Sequence, residues 1–452
     1  MPSVFPFRAV QYRGGGGRGG GDGGGGDVSD LIAPPYDVLD DSGKAALLDK
    51  NARNIVSIDL PHTPPKQLGP AQAYAAAGER YREWLEDGTL VQRERPAMFA
   101  YRQRFDYAGK AYARCGMCAT LEALPLGPRE GGGVLPHEET FSGPKEDRFA
   151  LVKATAAQLS PIFGLHPDES GRASEMVRSI MDAGPADLTA AMGDGVEHEV
   201  WTVEDEQAIR SYQDALAGED VFIADGHHRY TTGLNYLEYL SSQGPVGAGH
   251  PARRTMFVLV GMSDPGLAIG PTHRVLGGMS GYSLNAFLQA AEGVLEVSEA
   301  RVEPAGLEAV LDKADPGVLG LIDFKTGTCL LARPRERDPL ADRFADMPEA
   351  WRLLDVSIVQ HLIVSRICEP SLNAGRAVRW AFPHTIQEAM RIGTGAETGA
   401  GGGEGFAQLA VIVRPTPLEA VRRISRAGVL MPQKSTYFYP KLATGLFVNP
   451  LS

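Results

Sequence analysis

The chain has 452 residues, of which 43% are hydrophobic and 22% charged. That length allows two or three domains or one large layered unit, and the composition excludes a wholly disordered or collagen-like chain. A formal charge of −12 argues against a sequence-independent nucleic-acid coat, because phosphate binding needs a cationic footprint.

Glycine is the outlier at 54 residues, concentrated in GGGGRGGGDGGGG (14–26), GTGAETGAGGGEG (393–405) and the triplet 131–133. These tracts read as flexible insertions in a body of ordinary composition. Arg18 alone is weak support for an RGG-type RNA segment. The N-terminus MPSVFPFRAV lacks a basic region followed by an apolar one, no stretch reaches the ~18 apolar residues of a membrane span, and four cysteines are too few for a disulfide framework. A cytoplasmic protein with no membrane partner is expected.

In chain order, the loop-like IAPPYDVLD (32–40) precedes a short helix near 41–50 and a clearer one over 71–86. Two β-rich runs, 97–107 and 111–121, flank Ala108-Gly109 and predict an antiparallel hairpin. The polar PHEETFSGPKEDR (136–148) runs into a helix to about 158, followed by strand 161–166, helix 173–183, strand 197–203 and helix 204–217. VFIADGHHRYTTGLNYLEYL (221–240) reads as buried strand, turn and helix. Strand 255–262 and the loop GPTHR come next, then helices near 283–293 and 305–313, strands 317–324 and 328–333, helix 354–367, strand 407–413 and helix 416–427. The interleaving predicts an α/β or α+β fold. A core lobe over 1–275 and a C-terminal α/β lobe over 276–452, packing on the core, are the expected divisions. The terminal motif PQKSTYFYPKLATGL (432–446) is extended and aromatic.

The sharpest constellation is Asp225-Gly226-His227-His228-Arg229, where a buried strand passes into a helix. A helix N-terminus favours phosphate, Gly226 lets backbone approach it, and His227, His228 and Arg229 add donors and charge. Asp225 would repel phosphate unless it held a metal, took a proton or capped the helix. The polar run offers Lys145 and Arg148 as an anion clamp, His137 and Glu138 for metal or proton transfer, and Thr140 as a substrate contact. Tyr36 and Asp37 on a Pro-Pro turn, His273-Arg274, and Lys434-Ser435-Thr436-Tyr437 near Lys441 present further hydroxyls, carboxylates and cations. Taken singly, each of these loops also has an ordinary structural reading. Zinc is not expected: Cys115 and Cys118 lie three apart on a strand, on opposite faces, with no second pair. No Walker loop and no strand-linked GxGxxG occurs.

The ordered set IAPPYDVL, PHEET with PKEDR, SPIF, IADGHHRY, PTHR and PQKSTYFYPKLATGL resembles the bacterial and archaeal family of domain of unknown function 1015, from about residue 4 to 450. The DGHHR turn is also similar to that of the ParB/sulfiredoxin-like superfamily, which includes free-serine kinases. The resemblance implies a ParB/sulfiredoxin-like core and phosphoryl transfer to a small hydroxylated acceptor, possibly free serine, from ATP, ADP or pyrophosphate. It places Asp225 at the aspartate associated with catalysis and Gly226, His227, His228 and Arg229 at phosphate-holding positions.

The expected function is therefore a phosphotransferase. Asp225, His227, Glu138 and His137 are the catalytic candidates. Gly226, His228, Arg229, Lys145, Arg148, Arg274 and Lys434 would hold phosphate. Tyr36, Asp37, Thr140, His273, Ser435, Thr436 and Tyr437 would contact substrate, and Mg²⁺ would sit on Asp225 or Glu138. A phosphohydrolase at the same site and a non-enzymatic nucleotide-binding switch are the alternatives.

Overall fold

The computed structural model describes residues 2–14, 26–138, 142–395 and 406–452. They form a mixed α/β fold of two compact units. One comprises the described residues of Met1–Pro136, Thr140–Ala268 and Phe438–Ser452, the other those of His137–Glu139 and Ile269–Tyr437. The last fifteen residues thus fold with the first unit. Residues 15–25, 139–141 and 396–405, the expected substrate contact Thr140 among them, lie outside the described residues.

The first unit is built on a ten-stranded sheet. Its centre is the hairpin Met98–Tyr107 and Lys110–Glu122, whose turn places Ala108 and Gly109 at φ of 51° and 76°. Both central residues at positive φ match the twist of a two-residue hairpin. Outward from the hairpin lie Arg254–Gly261, Ile162–His166 and Val221–Asp225 on one side and Glu197–Val203 on the other. Strands 254–261 and 162–166 run parallel; the remaining pairings between these strands are antiparallel.

Alternation along the hairpin sends its residues to two cores. Met98, Ala100, Met117 and Ala119 face a cluster with Val177 and Met181 of helix Arg172–Asp182 and Ile209 and Tyr212 of helix Glu206–Ala215. Phe99 and Tyr101 point the other way, where Phe447 packs on them with ring centroids 5.0 and 6.0 Å away. The C-terminal segment therefore covers the second face of the first unit's sheet.

The second unit carries a six-stranded sheet in the order 295–299, 329–334, 319–323, 407–412, 274–277, 379–381, with every pairing antiparallel. Leu409 and Val411 face helices Leu284–Ala291 and Leu418–Arg426, while Ala410 and Ile412 face Leu307–Leu311 and Ile386–Gly393. The helix expected over 354–367 is different in kind: after Asp355–Ile358 the chain winds as a π-helix over Val359–Leu372. Its buried residues Val359, Leu362, Ile363, Val364, Ile367, Cys368 and Leu372 join the core cluster that contains Leu409 and Val411.

Among the described residues no helix is long and apolar enough to cross a membrane.

Phe447→Ala removes a wholly buried ring from the first unit, so we expect a loss of about 3–5 kcal/mol. Urea denaturation followed by ¹⁹F resonances of fluorinated Trp84 and Trp201 in that unit measures it.

Candidate functional site

The strand Val221–Asp225 is apolar and buried for four residues and ends on a carboxylate. Its pairing with 162–166 slips between Ile223 and Asp225, and such irregularities re-aim the side chain that follows. Gly226 then takes φ of 98°, and a Cβ there would lie 2.9 Å from Arg229 Nε. Both the left-handed turn and the close approach require glycine. The helix His227–Gln243 starts at once, with no side chain at Gly226 to cap it.

One helical turn on, Arg229 folds back, donating to Asp225 Oδ2 and to the Pro161 carbonyl. Lys441 Nζ, from the C-terminal segment, donates to Asp225 Oδ1. Burial opposes ionisation of Asp225, but the Lys441 and Arg229 charges outweigh it and hold the carboxyl well below the usual range. Lys441 is likewise opposed by burial and held charged by Asp225 and Asp37.

A further layer of charge lies behind this pair. Arg148 Nη1 donates to the Asp59 carbonyl at 2.7 Å and to its Oδ1 at 3.2 Å, while Nε donates to Asp147 Oδ2 at 2.8 Å. Asp147 Oδ1 accepts from the Tyr74 hydroxyl at 2.7 Å and lies 2.8 Å from His62 Nε2. The Arg148 guanidinium lies 4.0 Å from the centre of the Tyr36 ring. Burial raises the Asp59 pKa against the pull of Arg148. Asp37, next to Tyr36, has a buried Oδ1 with no hydrogen-bond partner among the described residues. A cavity of about 40 Å³ adjoins Asp59, Arg148, Arg229 and Thr232, which is room for a few waters.

The first unit thus brings together Tyr36, Asp37, Arg148, Asp225, Gly226, His227, His228 and Arg229 from the sequence reading. Arg148 does not stand in an open anion clamp with Lys145: it is 5% exposed and its donors serve Asp59 and Asp147, whereas Lys145 is half-buried on the first turn of helix Ser142–Thr155. Asp59, His62 and Tyr74 have no site role in the sequence pattern, because none lies in a motif of unusual composition; Asp147 belongs to the polar run 136–148, where it reads as a helix cap. Lys441 stood out there merely as a cation in an aromatic run.

Another group of the expected residues gathers in the second unit. Glu138 Oε1 accepts backbone N–H bonds from Ser435 at 2.9 Å and Thr436 at 3.2 Å, and Oε2 accepts from Lys434 at 3.2 Å. His137 Nε2 lies 2.8 Å from Thr436 Oγ1. Arg274 is buried and donates to the carbonyls of Thr272, Gln433 and Lys434. His273 is also buried, its Nδ1 accepting from the Val413 N–H at 3.3 Å. Tyr437 stacks on His384 with centroids 3.5 Å apart. Arg274 and Glu138 here hold the backbone of 432–436 in shape, using donors and acceptors that a ligand would otherwise meet.

Neither carboxylate suggested for Mg²⁺ fits a resident ion as it stands. Asp225 is bonded to two cations and Glu138 to three backbone N–H groups. Among the described residues no group of three or more His, Cys, Asp or Glu is placed to hold a metal. Cys115, Cys118, Cys329 and Cys368 are free thiols.

The fold and its strand–glycine–helix turn define a mixed α/β protein with a buried ionic site at a strand end. The chain belongs to the family described as Protein of unknown function (DUF1015), whose model matches residues 4–357. No curated protein matches the chain. Among solved structures it is similar to a free serine kinase mutant in complex with AMP, at 11% identity over 68% of this chain and 83% of that one, TM-score 0.33. It is also similar to SbnI with a C-terminal truncation from Staphylococcus aureus, at 9% identity over 70% and 84%, TM-score 0.33. A conserved hypothetical protein from Pyrococcus furiosus is similar at 15% identity over 71% and 95%, TM-score 0.30.

Because the folded pKa of Asp225 lies below its unfolded value, its stabilisation is complete above the ordinary aspartate range near pH ~3.9 and is lost as pH falls through the folded value. Asp225→Asn should abolish that component of acid sensitivity. At pH 7 it should cost about 3–5 kcal/mol, since Lys441 and Arg229 lose their buried partner. Urea titrations between pH 3 and 7 read both effects.

Proposed function

We propose that the protein is a phosphotransferase that moves a phosphoryl group from a nucleotide or pyrophosphate to a small hydroxylated acceptor, with free serine the first acceptor to try. The observation that carries this reading is the pairing of Arg229 and Lys441 on one carboxylate at the start of an uncapped helix. A helix N-terminus flanked by two cations suits the charge of a transferring phosphoryl group.

In this reading the donor's terminal phosphate lies against the first turn of His227–Gln243. Arg229 and Lys441 turn from Asp225 toward the phosphate oxygens, and His227 and His228 stand on the same turn. Asp225 is a poor base because it is held ionised by two cations, so its part is to keep those cations aimed. The base falls to Asp37: its Oδ1 lacks a hydrogen-bond partner among the described residues and its charge acts on Lys441. It would accept the acceptor's hydroxyl proton as the oxygen attacks phosphorus and the P–O bond to the donor breaks. Arg148, over the Tyr36 ring, steadies the turn that carries this carboxylate. A magnesium ion arriving with the donor's phosphates is part of that substrate.

The test is to incubate the protein with ATP, ADP or pyrophosphate plus serine, with Mg²⁺ present, and to follow phosphoserine and phosphate by ³¹P NMR. One donor should give phosphoserine. Lys441→Met should lower kcat/KM for that donor by about 10²–10³-fold. Asp37→Asn should lower kcat by about 10²–10⁴-fold with the donor KM little changed. Phosphate release without an acceptor would mean a phosphohydrolase, and saturable nucleotide binding with no turnover a binding switch; either rejects the transferase.

A further inference from the structure

Arg114 is 2% exposed at the centre of the first unit's sheet and forms no ion pair among the described residues. Burial alone lowers its pKa to about 10, even with Tyr101, Asp264 and Asp225 acting the other way. A buried guanidinium without a contacting carboxylate is costly, so its hydrogen bonds must repay the desolvation.

Those bonds go to one place. Nη1 donates to the Tyr439 carbonyl at 3.1 Å and Nη2 to the Pro440 carbonyl at 2.6 Å. Nη2 also donates to Gln103 Oε1, and Gln103 sits directly opposite Arg114 in the hairpin register. Gln103, 1% exposed, then uses Nε2 to donate to the Lys441 carbonyl at 3.1 Å. Three successive carbonyls are thus gripped by two side chains of adjacent strands. Phe163, 4.4 Å from the guanidinium, and Phe105 wall the clamp, and the same two rings meet Phe438 and Tyr439 edge-on.

The residue at the end of this grip is Lys441, whose Nζ bonds Asp225. A lysine side chain is a flexible four-carbon stem with many rotamers, so aiming it requires a fixed backbone. We infer that Arg114 and Gln103 are positioning residues that fix Lys441 against Asp225 by holding the backbone carbonyls of 439–441. The functional importance of this rests on the phosphotransferase reading, but the pairing itself does not.

The experiment is ¹³C-carboxyl NMR of aspartate-labelled protein, with the Asp225 resonance assigned by its loss in Asp225→Asn. In the unsubstituted protein the Asp225 midpoint lies below the ordinary aspartate range. Arg114→Met keeps the stem and removes both carbonyl bonds; Gln103→Glu keeps a partner for Arg114 and removes the donor to Lys441. Each should move the Asp225 midpoint up by about one pH unit or more, as Lys441→Met does, by the size of one lost ion-pair partner. Arg229 and His227 also act on Asp225 and are left in place. In the Lys441→Met background the Arg114 substitution should move the midpoint little further.

An Asp225 midpoint unchanged in folded Arg114→Met or Gln103→Glu protein overturns the inference. So does a shift equally large with Lys441 absent, since Arg114 would then act directly through its charge. Should Arg114→Met fail to fold, Gln103→Glu decides, read with and without Lys441→Met: a shift as large without Lys441 comes directly from the new carboxylate's charge and overturns the inference. Because no donor or acceptor is added, absence of phosphoserine formation defeats the transferase reading without touching this result, and an unchanged midpoint defeats the clamp without touching turnover.

Discussion

Asp225 is the point on which the first unit's chemistry turns. Its carboxylate is approached by Arg229 from the first turn of the helix that follows it and by Lys441 from 216 residues further along the chain. A buried carboxylate between two cations is stable only if all three stay together, because any one left alone carries an uncompensated charge in a medium that solvates it poorly. The demand therefore spreads outward: the strand must end with a slipped register, residue 226 must be glycine, and the C-terminal segment must lie on the sheet face opposite helices 172–182 and 206–215.

Ion pairs alternate with hydrogen bonds through the layer behind it. Asp59, Asp147 and Asp225 stand beside Arg148, Arg229 and Lys441, and these six charges balance. Such a set is not a standing anion magnet. Phosphate entering there would have to draw Arg229 and Lys441 partly away from Asp225, so affinity would be set by the difference between two ionic arrangements and not by the cations alone. A modest intrinsic affinity for simple anions, with tighter binding for a ligand that also engages the helix N-terminus, is what such competition produces.

How much of this is legible in the sequence depends on distance along the chain. The turn at 225–229 is visible because strand, glycine and helix are consecutive and each has a local signature, and the hairpin at 98–122 is visible for the same reason. The ring of partners is not. Asp59 and His62 lie in a stretch with no motif, and Asp147 reads as one acid in a mixed-charge run until Tyr74 and His62 converge on it. Motif chemistry also overcounts: Glu138 and Arg274 have the residue types of a ligand site, yet their side chains bond the backbone of Lys434 within the second unit. The π-helix over 359–372 shows a different limit, since its buried pairs four apart, Val359 with Ile363 and Ile363 with Ile367, are what a search for 3.6-residue spacing accepts as an α-helix.

The C-terminal segment illustrates why polar residues buried far from a site still matter to it. A core built for packing alone would place apolar side chains where Gln103 and Arg114 face each other across the hairpin, since burying an amide and a guanidinium costs more than burying methylenes. What they provide is direction: Phe447, Phe438 and Tyr439 press rings onto the sheet, but ring contacts tolerate sliding, whereas three carbonyls held by fixed donors do not. Apolar contact decides that the segment binds its sheet; the Arg114–Gln103 pair decides at which register, and register decides whether residue 441 reaches Asp225.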